Sequence, residues 1–169
     1  MIEILIADDQ GMIRTLLSGI CNGADDMRVV GQVPTGEAAI ELVHAASLIL
    51  DDLPSMDNAR TRRGRSCTHA VYGESTAILA AMDLIAIAYR LAAENTERHG
   101  RPVAPVIAQL SNAIGHEGIV RGQHADLALG EEDASLEQLT DIYTHKAAAL
   151  FLAAVRIPAN ILDIPEEKE

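Results

Sequence analysis

The choice of side chains for a core limits how this chain of 169 residues can fold. Hydrophobic residues make up 49 % of it, but aromatic residues only 2 %, so Ala, Leu, Ile and Val must fill the interior. Such side chains suit closely packed helices, whereas sheets favour β-branched and aromatic residues. The length suits one domain, or one domain plus a fragment, and the composition predicts a mainly α fold.

A short β-α-β segment is predicted at the start of the chain, over residues 1–36. Residues 2–7 form an apolar run typical of a buried parallel strand. Apolar residues then recur at helical spacing over 11–21, and Met27–Val33 forms a second strand-like run. A Pro-Thr-Gly turn at residues 34–36 ends the segment.

Helical periodicity dominates the next part of the chain, residues 37–158, and an acidic tail over 159–169 follows it. The predicted helices cover residues 37–53, 75–94, 101–115, 118–129 and 135–156. The last begins at a capping box, with Ser135 at the N-cap and Gln138 three residues on, and Pro158 is expected to end it. Its predicted inward side chains are Leu139, Ile142, Tyr143, Leu150 and Phe151.

Charge is concentrated in residues 51–64, directly after the apolar run 45–50. The stretch contains three carboxylates and three guanidiniums: Asp51, Asp52, Asp57, Arg60, Arg62 and Arg63. Carboxylates this close repel one another unless a cation lies between them, and Mg²⁺ usually binds through one or two carboxylates plus substrate phosphates. Guanidinium groups bind phosphate oxygens. The pattern predicts a Mg²⁺–diphosphate site, with a solvated, charge-mixed loop as the plainer alternative for the whole stretch. Residues 60–68 are polar and basic and are predicted to form a loop.

Net charge and hydropathy exclude several classes of protein. The net charge of -12 argues against nucleic-acid binding, because the phosphate backbone favours Lys and Arg. Residues 1–20 lack the basic start and cleavage site of a signal peptide. The most apolar stretch, 77–93, is interrupted by Asp83 and Arg90, and we expect a buried helix that falls short of a membrane span. These features predict a cytoplasmic protein.

Residues 40–158 resemble a trans-isoprenyl diphosphate synthase, of the bacterial geranylgeranyl and farnesyl diphosphate synthase type. The matching blocks, in family order, are residues 44–58 (HAASLILDDLPSMDN), 62–64 (RRG), 68–69 (TH), 71–77 (VYGESTA), 118–123 (GIVRGQ), 126–127 (DL) and 145–150 (HKAAAL). The resemblance implies an all-α bundle around a deep apolar cavity. It also implies a prenyltransferase of isoprenoid biosynthesis, which joins isopentenyl diphosphate to an allylic diphosphate with Mg²⁺ as cofactor.

The resemblance assigns roles to individual residues. Asp51, Asp52 and Asp57 would be the metal ligands, with Asp52 in support. Together with Lys146, which would lie on the allylic diphosphate, they are the implied catalytic residues. The implied substrate-binding residues are Arg62 on the allylic diphosphate, Arg63 and His44 on isopentenyl diphosphate, and Gln123 and Asp126 near the diphosphates. Plainer alternatives stay open, such as a core role for His44 and a solvated Asp126. Ala46, five residues before the first aspartate, implies a product of geranylgeranyl length.

The chain also departs from this family. The family's Gly-Lys-Arg segment is missing before His44, and its second aspartate motif is reduced to Asp163. The resemblance therefore implies a truncated bundle that binds diphosphate, with impaired turnover. Residues 1–43 instead resemble the start of a response-regulator receiver domain, with Asp8 and Asp9 as its acidic pair, which gives a chimera-like chain.

Three functions therefore stay open. A synthase-like protein needs one helix over 37–53, whereas a receiver-like signalling module needs a strand at 47–50. The alanines of this region favour the helix. The third is a non-catalytic helical partner of a full-length synthase. Homodimers are the alternative assembly, since synthases of this family are typically dimers.

Overall fold

The structure is a computed structural model that describes residues 2–7, 18, 27–33, 36–129 and 134–162, with side chains described for 18, 38–129 and 134–162. In chain order the elements are β1 (Ile2–Ala7), β2 (Met27–Val33), α1 (Gly36–Asp51), β3 (Thr61–Arg62), β4 (Arg65–Ser66), α2 (Thr68–Tyr72), α3 (Glu74–Arg98), α4 (Val103–Ile114), α5 (Ile119–Leu129), α6 (Leu136–Tyr143), a π-helical turn (Thr144–Ala148) and α7 (Ala149–Leu162). The predicted mainly α fold is confirmed.

Strands β1 and β2 pair in parallel, as the sequence predicted. Their register runs from Ile2 opposite Met27 to Ala7 opposite Val33, with a shift between Ile4 and Leu5. β1 also lies against α7. The two strands therefore dock on the helices. The acidic pair Asp8-Asp9, the helix predicted over 11–21 apart from its helical residue Ser18, the turn at 34–35 and the tail from Asp163 lie outside the described residues.

Helix α1 distinguishes the synthase-like prediction, a helix over 37–53, from the receiver-like prediction, a strand at 47–50. It is continuous from Gly36 to Asp51, so the strand that a receiver needs at 47–50 is not formed. It ends two residues earlier than the predicted residue 53. Pro54 disfavours the helical conformation at the residue before it, Leu53. Its buried side chains include Ala39, Val43 and Ala46. The alanines thus act as the helix formers that their propensity suggests.

The core lies between α1, α3, α4 and α7. Helices α1 and α3 pack against each other, and small residues are buried on α3 as on α1, among them Ala77, Ala81 and Ala88. Small contact residues allow helix axes to approach closely. Helix α4 adds the larger side chains Val106 and Leu110, which are 1 % and 0 % exposed.

The predicted helix over 135–156 needs three corrections. Its capping box is confirmed, with the Ser135 hydroxyl accepting from Gln138 N and the Gln138 side chain accepting from Ser135 N. However, a π-helical turn interrupts it at Thr144–Ala148. Pro158 does not end α7, which runs to Leu162, because burial of Pro158 and its neighbours in the core outweighs the lost backbone bond.

The third correction concerns the inward side chains of this helix. Ile142 and Leu150 are buried, as predicted. Leu139, Tyr143 and Phe151 are exposed, the last two by 65 % and 74 %. The π-helical turn shifts the helical phase between the two halves, so one uninterrupted periodicity could not place all five side chains.

Helix α3 differs from its prediction as well. By length and composition it is the one helix of the described ranges that could cross a membrane, so the expectation that it falls short of a span is wrong by this measure. Two charged residues, Asp83 and Arg90, do not disqualify its apolar stretch. The expected burial is wrong too, since only 22 % of that stretch is buried. Core helices of soluble proteins pass the same test, so the helix alone does not identify a span.

Leu110→Ala should lower the free energy of unfolding by about 2–5 kcal/mol, because it opens a cavity in the fully buried centre of α4. Urea unfolding followed by circular dichroism measures this change. The matched control is Leu79→Ala on the exposed face of α3, which should stay within about 0.5 kcal/mol of wild type. Equal losses in both variants would contradict the assignment of the core.

Candidate diphosphate and metal site

The loop after α1 folds back on the end of that helix. Met56 N and Asn58 N both donate to Leu53 O, at 2.9 and 3.0 Å, and Asp57 N donates to Asp51 O at 3.0 Å. Asn58 adopts a left-handed φ of 50°, a conformation that asparagine tolerates better than most residues. The turn therefore brings Asp57 beside Asp51, although six positions separate them in sequence.

A small hairpin supplies the first cation of the site. Strands β3 and β4 pair antiparallel, Thr61 with Ser66 and Arg62 with Arg65, where a loop was predicted. The turn residues Arg63 and Gly64 have φ of 53° and 77°, the positive values that tight two-residue hairpins require. The hairpin places Arg62 against the carboxylates and leaves Arg63 exposed.

Asp52 is the anchor of Arg62. Arg62 Nε donates to Asp52 Oδ1 and Oδ2 at 2.9 and 3.0 Å, and Nη2 donates to Oδ1 at 2.7 Å. The Asp52 side chain is only 6 % exposed. Burial opposes its ionisation, but hydrogen bonds from Arg62 and from the buried Cys67 thiol outweigh burial and lower the pKa of Asp52. This carboxylate is thus committed to positioning Arg62.

Asp51 lies between two cations. Its Oδ2 accepts from Arg62 Nη2 at 3.3 Å, and its Oδ1 lies 3.4 Å from Lys146 Nζ. Oδ1 is buried and accepts no hydrogen bond within the described residues. It therefore keeps an acceptor site for a further cation.

Asp57 shows that the carboxylates interact. Burial and the negative charge of Asp51 raise the pKa of Asp57, while Lys146 acts in the opposite direction. Like charges this close favour a shared proton or a bound cation. The loop thus stores electrostatic repulsion that a divalent cation would relieve.

Lys146 enters the site from the π-helical turn. Its Nζ donates to Asp126 Oδ2 of α5 at 2.6 Å and so joins Asp126 to Asp51. Burial opposes its charge, yet Asp126 and Asp51 raise the pKa of Lys146. A Cβ at Gly122 would overlap the Lys146 backbone, so α5 can approach the turn this closely only with glycine there.

An apolar cavity of about 760 Å³ begins at these charges, within the size range of small-molecule sites. It is lined along α1 from Ile40 to Asp51, a length of about 16 Å at 1.5 Å per residue. Its other apolar lining comes mainly from side chains of α5 and α7, with Ile85 of α3 and Ile114 of α4. Tyr143 and Phe151 line it as well, which explains why they are not packed in the core.

Most of the predicted site residues meet here. Asp51, Asp52, Asp57, Arg62, Lys146 and Asp126 form one connected cluster. His44 and Gln123 line the adjoining cavity, and Gln123 Nε2 is buried with no hydrogen-bond partner among the described residues. Arg63 lies apart, exposed on the hairpin turn. Ala46 is buried on α1, and its neighbour Ser47 faces the cavity instead.

Sequence reasoning missed three contributors to the site. No role in the site was predicted for Cys67, because its contact with Asp52 depends on the hairpin. Gly122 and the π-helical turn were not recognised either. Gly122 stands within the GIVRGQ block, so a glycine inside a predicted helix was the available signal.

The donor set fits Mg²⁺ bound together with a ligand. Asp51 Oδ1 and the Asp57 carboxylate are the hard oxygen donors that this ion prefers. Within the described ranges no group of three or more His, Cys, Asp or Glu side chains could hold a metal by itself. Two carboxylates completed by phosphate oxygens match the usual Mg²⁺ environment in proteins.

The charged cluster and the apolar cavity together indicate which kind of ligand this helical protein can hold. Cations and carboxylates at one end of an apolar cavity suit a ligand with an anionic head and a hydrocarbon tail. The model of the Polyprenyl synthetase family matches residues 11–169. The chain belongs to this family.

Individual relatives support the assignment. The chain is 40 % identical over 129 residues to a geranylgeranyl diphosphate synthase of Pantoea ananas, covering 76 % of this chain and 43 % of the relative. It is 44 % identical over 145 residues to the mitochondrial geranylgeranyl pyrophosphate synthase 10 of Arabidopsis thaliana, covering 80 % and 41 %. The chain thus spans less than half the length of the curated relatives it matches.

Solved structures agree with this fold. An FPP/GFPP synthase from Zymomonas mobilis superposes with a TM-score of 0.73 at 31 % identity, covering 79 % of this chain and 49 % of that chain. A geranyltransferase from Legionella pneumophila gives 0.69 at 34 % identity, covering 80 % and 47 %.

Asp57→Asn should raise the free energy of unfolding of the ligand-free protein at neutral pH, by less than about 1 kcal/mol because the group is partly solvated. A carboxyl whose pKa is raised on folding costs stability above that pKa, and the cost vanishes as the pH falls below its unfolded value of 3.8. Urea unfolding at neutral pH tests the gain in stability, and urea unfolding at acid pH tests its disappearance. The control is Asp83→Asn at an exposed position. A gain in stability that persists below pH 3.8 would contradict the explanation by a raised pKa of Asp57.

Gly122→Ala should lower the free energy of unfolding by about 1–3 kcal/mol, because its Cβ overlaps the Lys146 backbone. Helix propensity alone predicts the opposite sign, a gain of about 1 kcal/mol for alanine. The sign in urea unfolding therefore decides whether the close approach exists. Ala128→Ser, which adds one atom at an exposed position of α5, should change stability by less than about 0.5 kcal/mol.

Proposed function

We propose that this chain binds an allylic diphosphate with Mg²⁺, as a prenyltransferase-type protein of isoprenoid biosynthesis. The observation that carries the proposal is the junction of the ion cluster Asp51–Arg62–Lys146 with the apolar cavity. The diphosphate would lie at the cluster, and the hydrocarbon tail would lie along α1. The names of the relatives favour the same ligand class.

Asp51 and Asp57 would hold Mg²⁺, and Asp52 would support them through Arg62. When bound, Mg²⁺ would neutralise the charge that develops on a departing diphosphate. Arg62 and Lys146 lie beside the same carboxylates and would bind the diphosphate oxygens. His44, Gln123 and Arg63 would receive the second diphosphate or orient the first.

The reaction we propose is head-to-tail condensation. The allylic C–O bond breaks, and the diphosphate leaves with the electron pair. The double bond of isopentenyl diphosphate then attacks the allylic cation, a C–C bond forms, and a proton is lost. Arg62 and Lys146 would stabilise the leaving group by charge, and the apolar walls would hold water away from the cation.

Binding without condensation is the second candidate. Tyr143 and Phe151 border the cavity yet are largely exposed, so this side of the cavity meets solvent in the isolated chain. An allylic cation requires exclusion of water. Condensation would then need a partner to cover this side, either a second copy or a full-length synthase. Product length and cytoplasmic location remain predictions.

Calorimetric titration with farnesyl diphosphate, with and without Mg²⁺, tests the binding proposal. Wild type should bind only with Mg²⁺, and Asp51→Ala/Asp57→Ala should weaken binding by at least about tenfold, because it removes both proposed metal ligands. The exposed pair Asp83→Ala/Glu97→Ala is the charge-matched control and should bind like wild type.

Binding that is indifferent to Mg²⁺ and to the double variant would refute the proposal. If binding behaves as expected, a product assay with isopentenyl diphosphate separates the two candidates. A longer prenyl diphosphate would establish condensation, whereas no product at saturating substrates would favour binding alone.

A further inference from the structure

Asp51 already has two cations of the protein itself as neighbours. Arg62 Nη2 lies 3.3 Å from its Oδ2, and Lys146 Nζ lies 3.4 Å from its Oδ1. The Asp51 side chain is 15 % exposed, and those of Arg62 and Lys146 are 35 % and 26 % exposed. Pairs shielded to this degree are less screened than pairs on an open surface.

Arg62 and Lys146 differ in how easily they can leave Asp51. Arg62 is fixed by three short hydrogen bonds to the buried Asp52 and by the hairpin. Lys146 is a point charge on a flexible stem, and it is shared with Asp126 at 2.6 Å. A metal ion approaching Asp51 Oδ1 would therefore compete with Lys146 first.

We infer that Lys146 is a resident counter-ion of Asp51 that prevents Mg²⁺ from binding tightly until a diphosphate is present. The diphosphate attracts the ammonium group away from Asp51, and its oxygens complete the coordination of the metal. Lys146 is thus a positioning residue that couples the two ligands. The inference rests on the proposed function and specifies the order in which the site fills.

Thermodynamic linkage makes this coupling measurable. If diphosphate strengthens Mg²⁺ binding by some factor, Mg²⁺ must strengthen diphosphate binding by the same factor. Removing the ammonium group should strengthen Mg²⁺ binding in the absence of diphosphate and reduce the coupling. A purely structural role for Lys146 would weaken both ligands together.

Titration of Lys146→Met with Mg²⁺ alone, and with Mg²⁺ in the presence of inorganic diphosphate, is the test. Methionine keeps the apolar stem and removes the charge. The control is Arg121→Met, which removes one positive charge from an ion pair with Asp141, an exposed pair between α5 and α6. It accounts for the general effect of net charge on Mg²⁺ affinity.

Lys146→Met should bind Mg²⁺ alone at least about tenfold more tightly than Arg121→Met does. The charge that it removes lies 3.4 Å from Asp51 Oδ1, whereas the charge of Arg121 is held in an exposed pair with Asp141. The diphosphate-induced gain in Mg²⁺ affinity should shrink relative to wild type. Circular dichroism of both variants confirms that they are folded.

Two other results would overturn the inference, and they are distinguishable. If wild type binds diphosphate with Mg²⁺ but Lys146→Met matches Arg121→Met in Mg²⁺ affinity, the counter-ion role is wrong and the proposed function stands. If wild type binds no diphosphate with or without Mg²⁺, the proposed function fails and the coupling fails with it.

Discussion

The carboxylates at the end of α1 depend on positive charge that other elements of the structure supply. Asp51 and Asp52 stand at the C-terminal, negative end of the helix dipole, and no basic residue lies in that last turn. Local sequence therefore destabilises these carboxylates. Cations from two distant elements, Arg62 of the hairpin and Lys146 of the π-helical turn, compensate them. The tertiary fold thus supplies the positive charge that the end of the helix itself lacks.

Part of this arrangement could be predicted from sequence, because local rules govern it. The Ser135 capping box, strands β1 and β2 and the continuous α1 all follow from residue propensities and short spacings. The acidic residues and Arg62 could also be recognised, since charge is concentrated in one stretch. The resemblance to prenyl synthases then brought in Lys146, Gln123 and Asp126 from far along the chain.

The errors share a different cause. Pro158 continues a helix because its burial in the core outweighs a missing hydrogen bond, and the exposed Tyr143 and Phe151 border a cavity that periodicity cannot reveal. The bond between Arg62 and Asp52 likewise depends on a hairpin ten residues away from the aspartate. Tertiary context overrides local preference in each case. The receiver resemblance stays a prediction, although the family match begins at residue 11 and so overlaps that segment.

The π-helical turn has a consequence for how this site tolerates changes of length. Such a turn contains one residue more than the α-helical path needs, since its hydrogen bonds run from i to i+5. Loss of one residue from Thr144–Ala148 would let an unbroken α-helix form while α6 and α7 keep the faces that they present to the core. Only the side chains of the turn, Lys146 among them, would then change direction. A single-codon deletion, which elsewhere in a helix rotates one half against the other by about 100°, would here move the ammonium group relative to Asp51 and spare the scaffold.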